Sequence, residues 1–193
     1  MSTTAKEKIL HAASILFYNK GIEATGINSI TNKANVAKMS LYNNFSTKND
    51  LIASYITIRH QEWLDLYAIQ ENRAKTSLDK ILAIFDAYQD HAEFNYENGF
   101  RGCGLLNAAA EFSANSPHRV AVKKHKEEVE SIIKRHLSHL TQDQHKINEL
   151  ALMVSFLLEG SISRAGLEGS SHKVTAAKVL TKKILEKQII NEK

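Results

Sequence analysis

The chain has 193 residues, 43% of them hydrophobic and 24% charged, which is enough apolar content for a core and an ordinary charge load for a soluble globular protein. One proline, Pro117, and eight glycines are too few for a turn-rich β-sandwich and favour long helices. The net charge of +4 is uneven: residues 1–50 hold six Lys against three acids, whereas residues 51–171 hold 13 Lys/Arg against 16 Asp/Glu. Residues 172–193 return to basic, and a basic head on a mildly acidic body suits a head that meets polyphosphate.

Ile9, Ala12, Ala13, Leu16 and Phe17 recur at helical spacing. Thr4 with Glu7 three residues on makes a capping-box start, and Lys20-Gly21 a stop, so a first helix is predicted over residues 5–20. Two short apolar sets follow: Ile27, Ile30, Ala34 and Val36, then Met39, Leu41, Tyr42 and Phe45. Asn35 between them tolerates a left-handed backbone and predicts a tight turn joining two short helices. Thr47 and Asp50 start a long helix through Leu51, Tyr55, Ile58, Glu62 and Tyr67. Further helices are predicted near 76–96, 104–114, 117–139, 143–166 and 172–190, with Pro117 in a first turn and residues 166–171 as a turn-like link. The expectation is an all-α chain of about nine helices.

A helix enters the major groove only if a second helix braces it and a tight turn sets the angle. Residues 27–45 have those parts. Ile30, Ala34, Val36, Leu41 and Phe45 lock the pair, leaving Lys38, Met39, Ser40, Tyr42, Asn43 and Asn44 outward without an acid to repel phosphate. The same pattern also occurs in helix pairs that never meet DNA.

The residues narrow that choice. Gly21-Ile22-Glu23-Ala24-Thr25-Gly26-Ile27, Ile30, Ala34-Asn35-Val36, Leu41-Tyr42-Asn43-Asn44-Phe45 and Lys48-Asn49-Asp50-Leu51 together resemble the DNA-binding domain of TetR/AcrR-type repressors, without a gap. Asn35 stands where that family usually has Gly, and Ala37 where it often has a capping Ser, a loss of about 1 kcal/mol at that helix start. The resemblance implies a three-helix helix-turn-helix domain over residues 1–47 and a larger helical ligand-binding and dimerisation domain over 48–193. It implies phosphate contacts at Thr25, Ser40, Tyr42 and Lys48, and base-edge contacts at Lys38, Met39 and Asn43. Ser29 and Asn44 complete the expected DNA-binding set. Phosphate contacts set affinity and register, and base contacts set sequence preference.

Phe100-Arg101-Gly102-Cys103-Gly104-Leu105-Leu106-Asn107-Ala108-Ala109-Ala110-Glu111-Phe112 is similar to a regulatory-domain segment of one TetR/AcrR subgroup, and Leu157-Leu158-Glu159-Gly160-Ser161-Ile162 to its dimerising helix. Small residues Ser155, Gly160, Ser161 and Ala165, with a stripe of Val174, Ala177, Leu180, Ile184 and Ile189, suit a homodimer through helices near 143–166 and 172–190, or else plain core. Candidate ligand contacts are Trp63, Tyr67, Phe85, Tyr88, Cys103, Asn107 and Glu111, each with an ordinary alternative: core packing for the aromatics, capping or pairing for Glu111. Cys103 follows Arg101 and precedes a helix, so it is either a reactive thiol or an inert buried one.

The expected partners are therefore a double-stranded DNA operator, a second copy of the chain and a small-molecule effector. The nine histidines lack the carboxylate or cysteine spacing of a zinc or di-iron site, and no glycine-rich phosphate loop or nucleophile elbow occurs. Neither cofactor, metal nor enzymatic activity is expected. No uninterrupted apolar run reaches span length, residues 1–8 are polar, and the single Cys fits a reducing compartment, which points to the cytoplasm.

Overall fold

The structure, a computed structural model, describes residues 3–190 apart from the side chain of Ile190. Met1 and Ser2 of the polar N-terminal segment, and residues 191–193 of the basic tail, lie outside the described residues. Those described form nine α-helices in the order α1 (Ala5–Lys20), α2 (Ile27–Ala34), α3 (Lys38–Asn44), α4 (Lys48–Arg73), α5 (Ser77–Glu93), α6 (Gly104–Ala110), α7 (Pro117–Leu137), α8 (Gln144–Glu168) and α9 (His172–Leu185), then a π-helical turn, Glu186–Ile190. No strand occurs among the described residues.

Local chemistry sets most of these ends. Thr4 accepts the Glu7 N–H while Glu7 accepts that of Thr4, closing the expected capping box. Asn35 lies in the left-handed region (φ 52°, ψ 52°) and ends α2, which is why an Asn can replace Gly there. Thr47 and Asp50 exchange the same reciprocal bonds at the start of α4, and Thr76 with Asp79 does so at α5. Ala37 begins α3 with no side-chain cap. Helix α6 stops at Ala110, four residues short of the expected end, and Glu111 falls in the turn beyond it.

The chain divides into two compact units, one of Met1–Gln61 with Gly104–Lys123, the other of Glu62–Cys103 with Lys124–Lys193. In the first, Ile9, Ala13, Ile30, Leu41 and Leu51 are fully buried, and the Phe17 and Tyr55 rings meet edge to face at 5.4 Å. The Lys6 ammonium lies over the Phe45 ring. Gly104 starts α6 against Tyr18 and Tyr55; a Cβ there would sit 3.1 Å from atoms of both side chains. A side chain there would require the two rings to shift by a few tenths of an ångström.

In the second unit, Ile81, Ile84, Ala87, Val154, Ile162 and Val174 form a core free of solvent, and Lys178 pairs with Asp86 at 2.7 Å. Gly166, expected in a turn, is inside α8; a Cβ there would meet the Gly102 backbone at 2.5 Å, so this glycine serves a close backbone approach. The turn comes later, at Gly169 (φ 66°). Among the described residues one helix, α8, is long and apolar enough to cross a membrane, and 39% of its apolar stretch is buried. Polar residues such as Ser155, Glu159 and Ser161 interrupt that stretch.

Candidate functional site

Helix α3 has one buried residue, Leu41, and presents everything else outward. Met39 is 71% exposed and Tyr42 43%. Lys38 and Asn43 are exposed beside them, Ser40 is half-buried, and Ser29 is exposed on α2. Asn44 turns its amide back on its own helix, donating to the Ser40 carbonyl at 2.8 Å. The surface thus offers an ammonium, an amide, a thioether and a phenol, with no carboxylate among α2 and α3. Geometry and chemistry match a duplex groove: a short helix, held by Leu41 and Ile30 from below, bearing donors suited to base edges and phosphates.

Two of the expected phosphate contacts are placed differently. Thr25 is 1% exposed, and its hydroxyl donates to the Gly21 carbonyl at 2.6 Å with Leu16 O at 3.3 Å. Its side chain is a bracket inside the unit, a correction of the expected phosphate contact: a buried, engaged hydroxyl has no reach to solvent. Lys48 donates to the Ile22 carbonyl at 2.6 Å. An ammonium has three donors, so two of them stay available at the start of α4.

The residues expected around a ligand fall into both units. Trp63, Tyr67, Phe85, Tyr88 and Cys103 belong to the second, and Asn107 and Glu111 to the first. Glu111 takes the capping role that was its ordinary alternative. One oxygen accepts the Ile22 N–H and the other the Glu23 N–H, each at 2.8 Å, so the carboxylate is already occupied by backbone. The sequence could not show this, since the partners lie 88 and 89 residues away.

The second unit gathers the aromatics. Trp63 stacks parallel on Tyr67 with centroids 5.6 Å apart and meets Tyr88 and His125 edge-on. Beside Tyr88 the Lys126 ammonium reaches the Tyr88 hydroxyl at 3.2 Å, Glu159 at 2.8 Å and the Cys103 sulfur at 3.7 Å. Burial opposes the charge on Lys126, yet Cys103, Tyr88 and Glu159 outweigh it and hold the ammonium above the usual lysine range. Burial likewise pushes the Tyr88 phenol up. Among the described residues, the Trp63 indole N–H and the second Glu159 oxygen are buried without a hydrogen-bond partner. Lys126 and Glu159 were not expected here, although one signal existed. Val122, Lys126, Val129 and Ile133 share the buried stripe of α7, and a lysine in that register is out of place.

A second polar cluster lies in the same unit. The Nε2 atom of buried His136 is 2.8 Å from the Tyr67 hydroxyl and 3.2 Å from Glu71, which Arg135 and Lys80 also approach. Burial, then the Arg135 charge, depresses the His136 pKa.

Among the described residues, the first helices have the architecture of a braced helix-turn-helix. Residues 9–55 match the family model for bacterial regulatory proteins, tetR family. The chain is 27% identical over 165 residues to YxaF, an uncharacterized HTH-type transcriptional regulator of Bacillus subtilis, covering 82% of this chain and 83% of that one. It is 26% identical over 110 residues to the biofilm operon icaADBC HTH-type negative transcriptional regulator IcaR of Staphylococcus aureus, over 57% of this chain and 58% of that protein's length. Its fold follows that of a TetR-family transcriptional regulator from Streptomyces coelicolor at a TM-score of 0.85 and 23% identity, over 96% of this chain and 95% of that one. The chain is thus similar to TetR-family transcriptional regulators, with the family match itself confined to residues 9–55.

Proposed function

We propose that the chain is a dimeric repressor that holds a palindromic DNA operator through α3 and leaves it when a small-molecule effector binds the second unit. The observation that carries the reading is the outward face of α3, where exposed Lys38, Met39, Tyr42 and Asn43 are carried on a helix anchored by fully buried Leu41. In this reading Lys38, Met39 and Asn43 face base edges: guanine acceptors, a thymine methyl and adenine respectively. Ser40, Tyr42 and Lys48 meet phosphates, with Ser29 and Asn44 at the margin.

Dimerisation is supported by α8 and α9. Leu152 and Phe156 are 45% and 66% exposed on α8, Val179 and Leu180 about half exposed on α9, and Gly160 has open space over its backbone. Two such helices from each copy make a four-helix bundle, and a dimer grips half-sites roughly 34–36 Å apart. Effector binding is supported by the aromatic cluster of Trp63, Tyr67 and Tyr88, whose unmet indole N–H and nearby Glu159 oxygen are groups a ligand can satisfy. DNA and effector then weaken each other's binding by the same factor. Repression rather than activation is supported by the likeness to IcaR, a negative regulator. The reading places the chain in the cytoplasm.

Selection of bound duplexes from a random pool tests it. A palindromic consensus is expected; a single unrepeated half-site removes the dimer, and no consensus removes the reader. A second reading keeps the DNA binding and makes Cys103 the sensor, supported by the Lys126 ammonium 3.7 Å from its sulfur. Treatment with a thiol-specific reagent that leaves operator affinity unchanged ends that second reading.

A further inference from the structure

We infer that Glu111 is a positioning residue for DNA reading: it fixes the loop between α1 and α2, and thereby the brace on which α3 depends. The inference rests on the DNA-binding reading of the head. Residues 21–23 turn the chain from α1 toward α2, and their polar backbone groups are engaged one by one. The Gly21 N–H donates to Phe17, and the Gly21 carbonyl accepts from Thr25 Oγ1. The Ile22 carbonyl accepts from the Lys48 ammonium at 2.6 Å and from the Thr25 N–H at 3.2 Å. Of the loop's N–H groups, those of Ile22 and Glu23 remain, and these two are taken by the two oxygens of one carboxylate, that of Glu111. Charge-assisted bonds of this kind are about twice as strong as neutral ones.

Glu111 is itself held. Its N–H donates to Ala108, and Arg119 caps the same helix end through the carbonyls of Ala109 (2.9 Å) and Phe112 (3.4 Å). At the other end of α6, Gly104 seats against Tyr18 and Tyr55. Gly21 completes the fit from the loop side. It has φ 91°, and a Cβ there would meet the Glu111 oxygens at 3.1 and 3.2 Å. The loop is therefore shaped around the carboxylate. All of these residues lie in the first unit, yet Glu111 sits on the segment Gly104–Lys123, which the chain enters from Cys103 and leaves into Lys124 of the second unit.

The role separates from direct DNA contact and from plain stability. Glu111→Gln keeps the size but offers one acceptor where two are needed, and an amide NH2 facing an N–H. In the full-length chain we expect affinity for the selected duplex, and for a scrambled duplex of equal length, to fall by about tenfold each. The slope of log affinity against log salt should not change, because no phosphate contact is removed. Hydrogen exchange should quicken at the Ile22 and Glu23 amides, measured where the variant is fully folded. Unchanged affinity in a folded Glu111→Gln chain overturns the inference, as does a changed salt slope, which would put Glu111 at the phosphates instead. If the variant does not fold, exchange in the unaltered chain decides. Ile22 and Glu23 amides exchanging as fast as that of exposed Ala24 overturn the role, and protected ones support it. Failure of the unaltered chain to bind any selected duplex sinks the DNA-binding reading instead, which keeps the two failures apart.

Discussion

The two units treat their buried polar groups in opposite ways. In the first, Thr25 at 1% exposure bonds two carbonyls, and the loop of residues 21–23 leaves none of its N–H groups unpaired. In the second lie all four buried side-chain polar atoms that lack a partner among the described residues: Trp63 Nε1, Ser155 Oγ, Glu159 Oε2 and Thr181 Oγ1. Each such group costs about 1–3 kcal/mol relative to a satisfied one. A unit that tolerates several has stability to gain from whatever satisfies them, be it a ligand or a second copy. The first unit has little left to gain, as befits a rigid reader.

The largest test breaks the reader. Leu41→Ala empties a fully buried site under α3 and should destabilise the first unit by about 2–5 kcal/mol, read by thermal unfolding, with DNA binding lost at temperatures where the second unit persists. Next comes specificity. Asn43→Ala on the exposed face should leave stability unchanged and lower discrimination at one base pair by about 1–3 kcal/mol, read by competition among duplexes varied at each position. An equal loss on every duplex would make Asn43 a phosphate contact.

The sharpest comparison pairs two buried threonines. Thr25→Val should cost about 1 kcal/mol, since it removes a satisfied hydroxyl and strands the Gly21 carbonyl. Thr181→Val removes an unsatisfied hydroxyl at 0% exposure and should stabilise by a similar amount. Equal signs for the two would erase the contrast between the units. The smallest effect is a pH slope. Because the folded state depresses the His136 pKa, its neutral form is favoured, and stability present above the unfolded value of about 6.5 should fall as pH drops through and below it. His136→Gln should flatten that slope in urea titrations from about pH 7.5 to 5.

Features set by near neighbours were legible in the sequence. Thr4 with Glu7, Asn35, and Thr47 with Asp50 act within four residues, so the ends of α1, α2 and α4 could be placed from residue order alone. Features set by distant partners were not. Glu111 resembled a ligand contact by spacing from Asn107, but its end at Ile22 and Glu23 depends on how α6 packs. The family resemblance put Thr25 at a phosphate, and nothing in its near neighbours announces burial. Gly166 read as a turn because a glycine that admits a backbone looks, in one dimension, like a glycine that bends one.

The stacked indole carries one practical consequence. Trp63 is the chain's single tryptophan, buried against Tyr67 and Tyr88 in the second unit, while the first unit has none. The molecule therefore comes with its own optical gauge, one that reports only on the body. A compound that dims or shifts this emission has perturbed the second unit, and DNA titrated into the same cuvette asks whether DNA does so too.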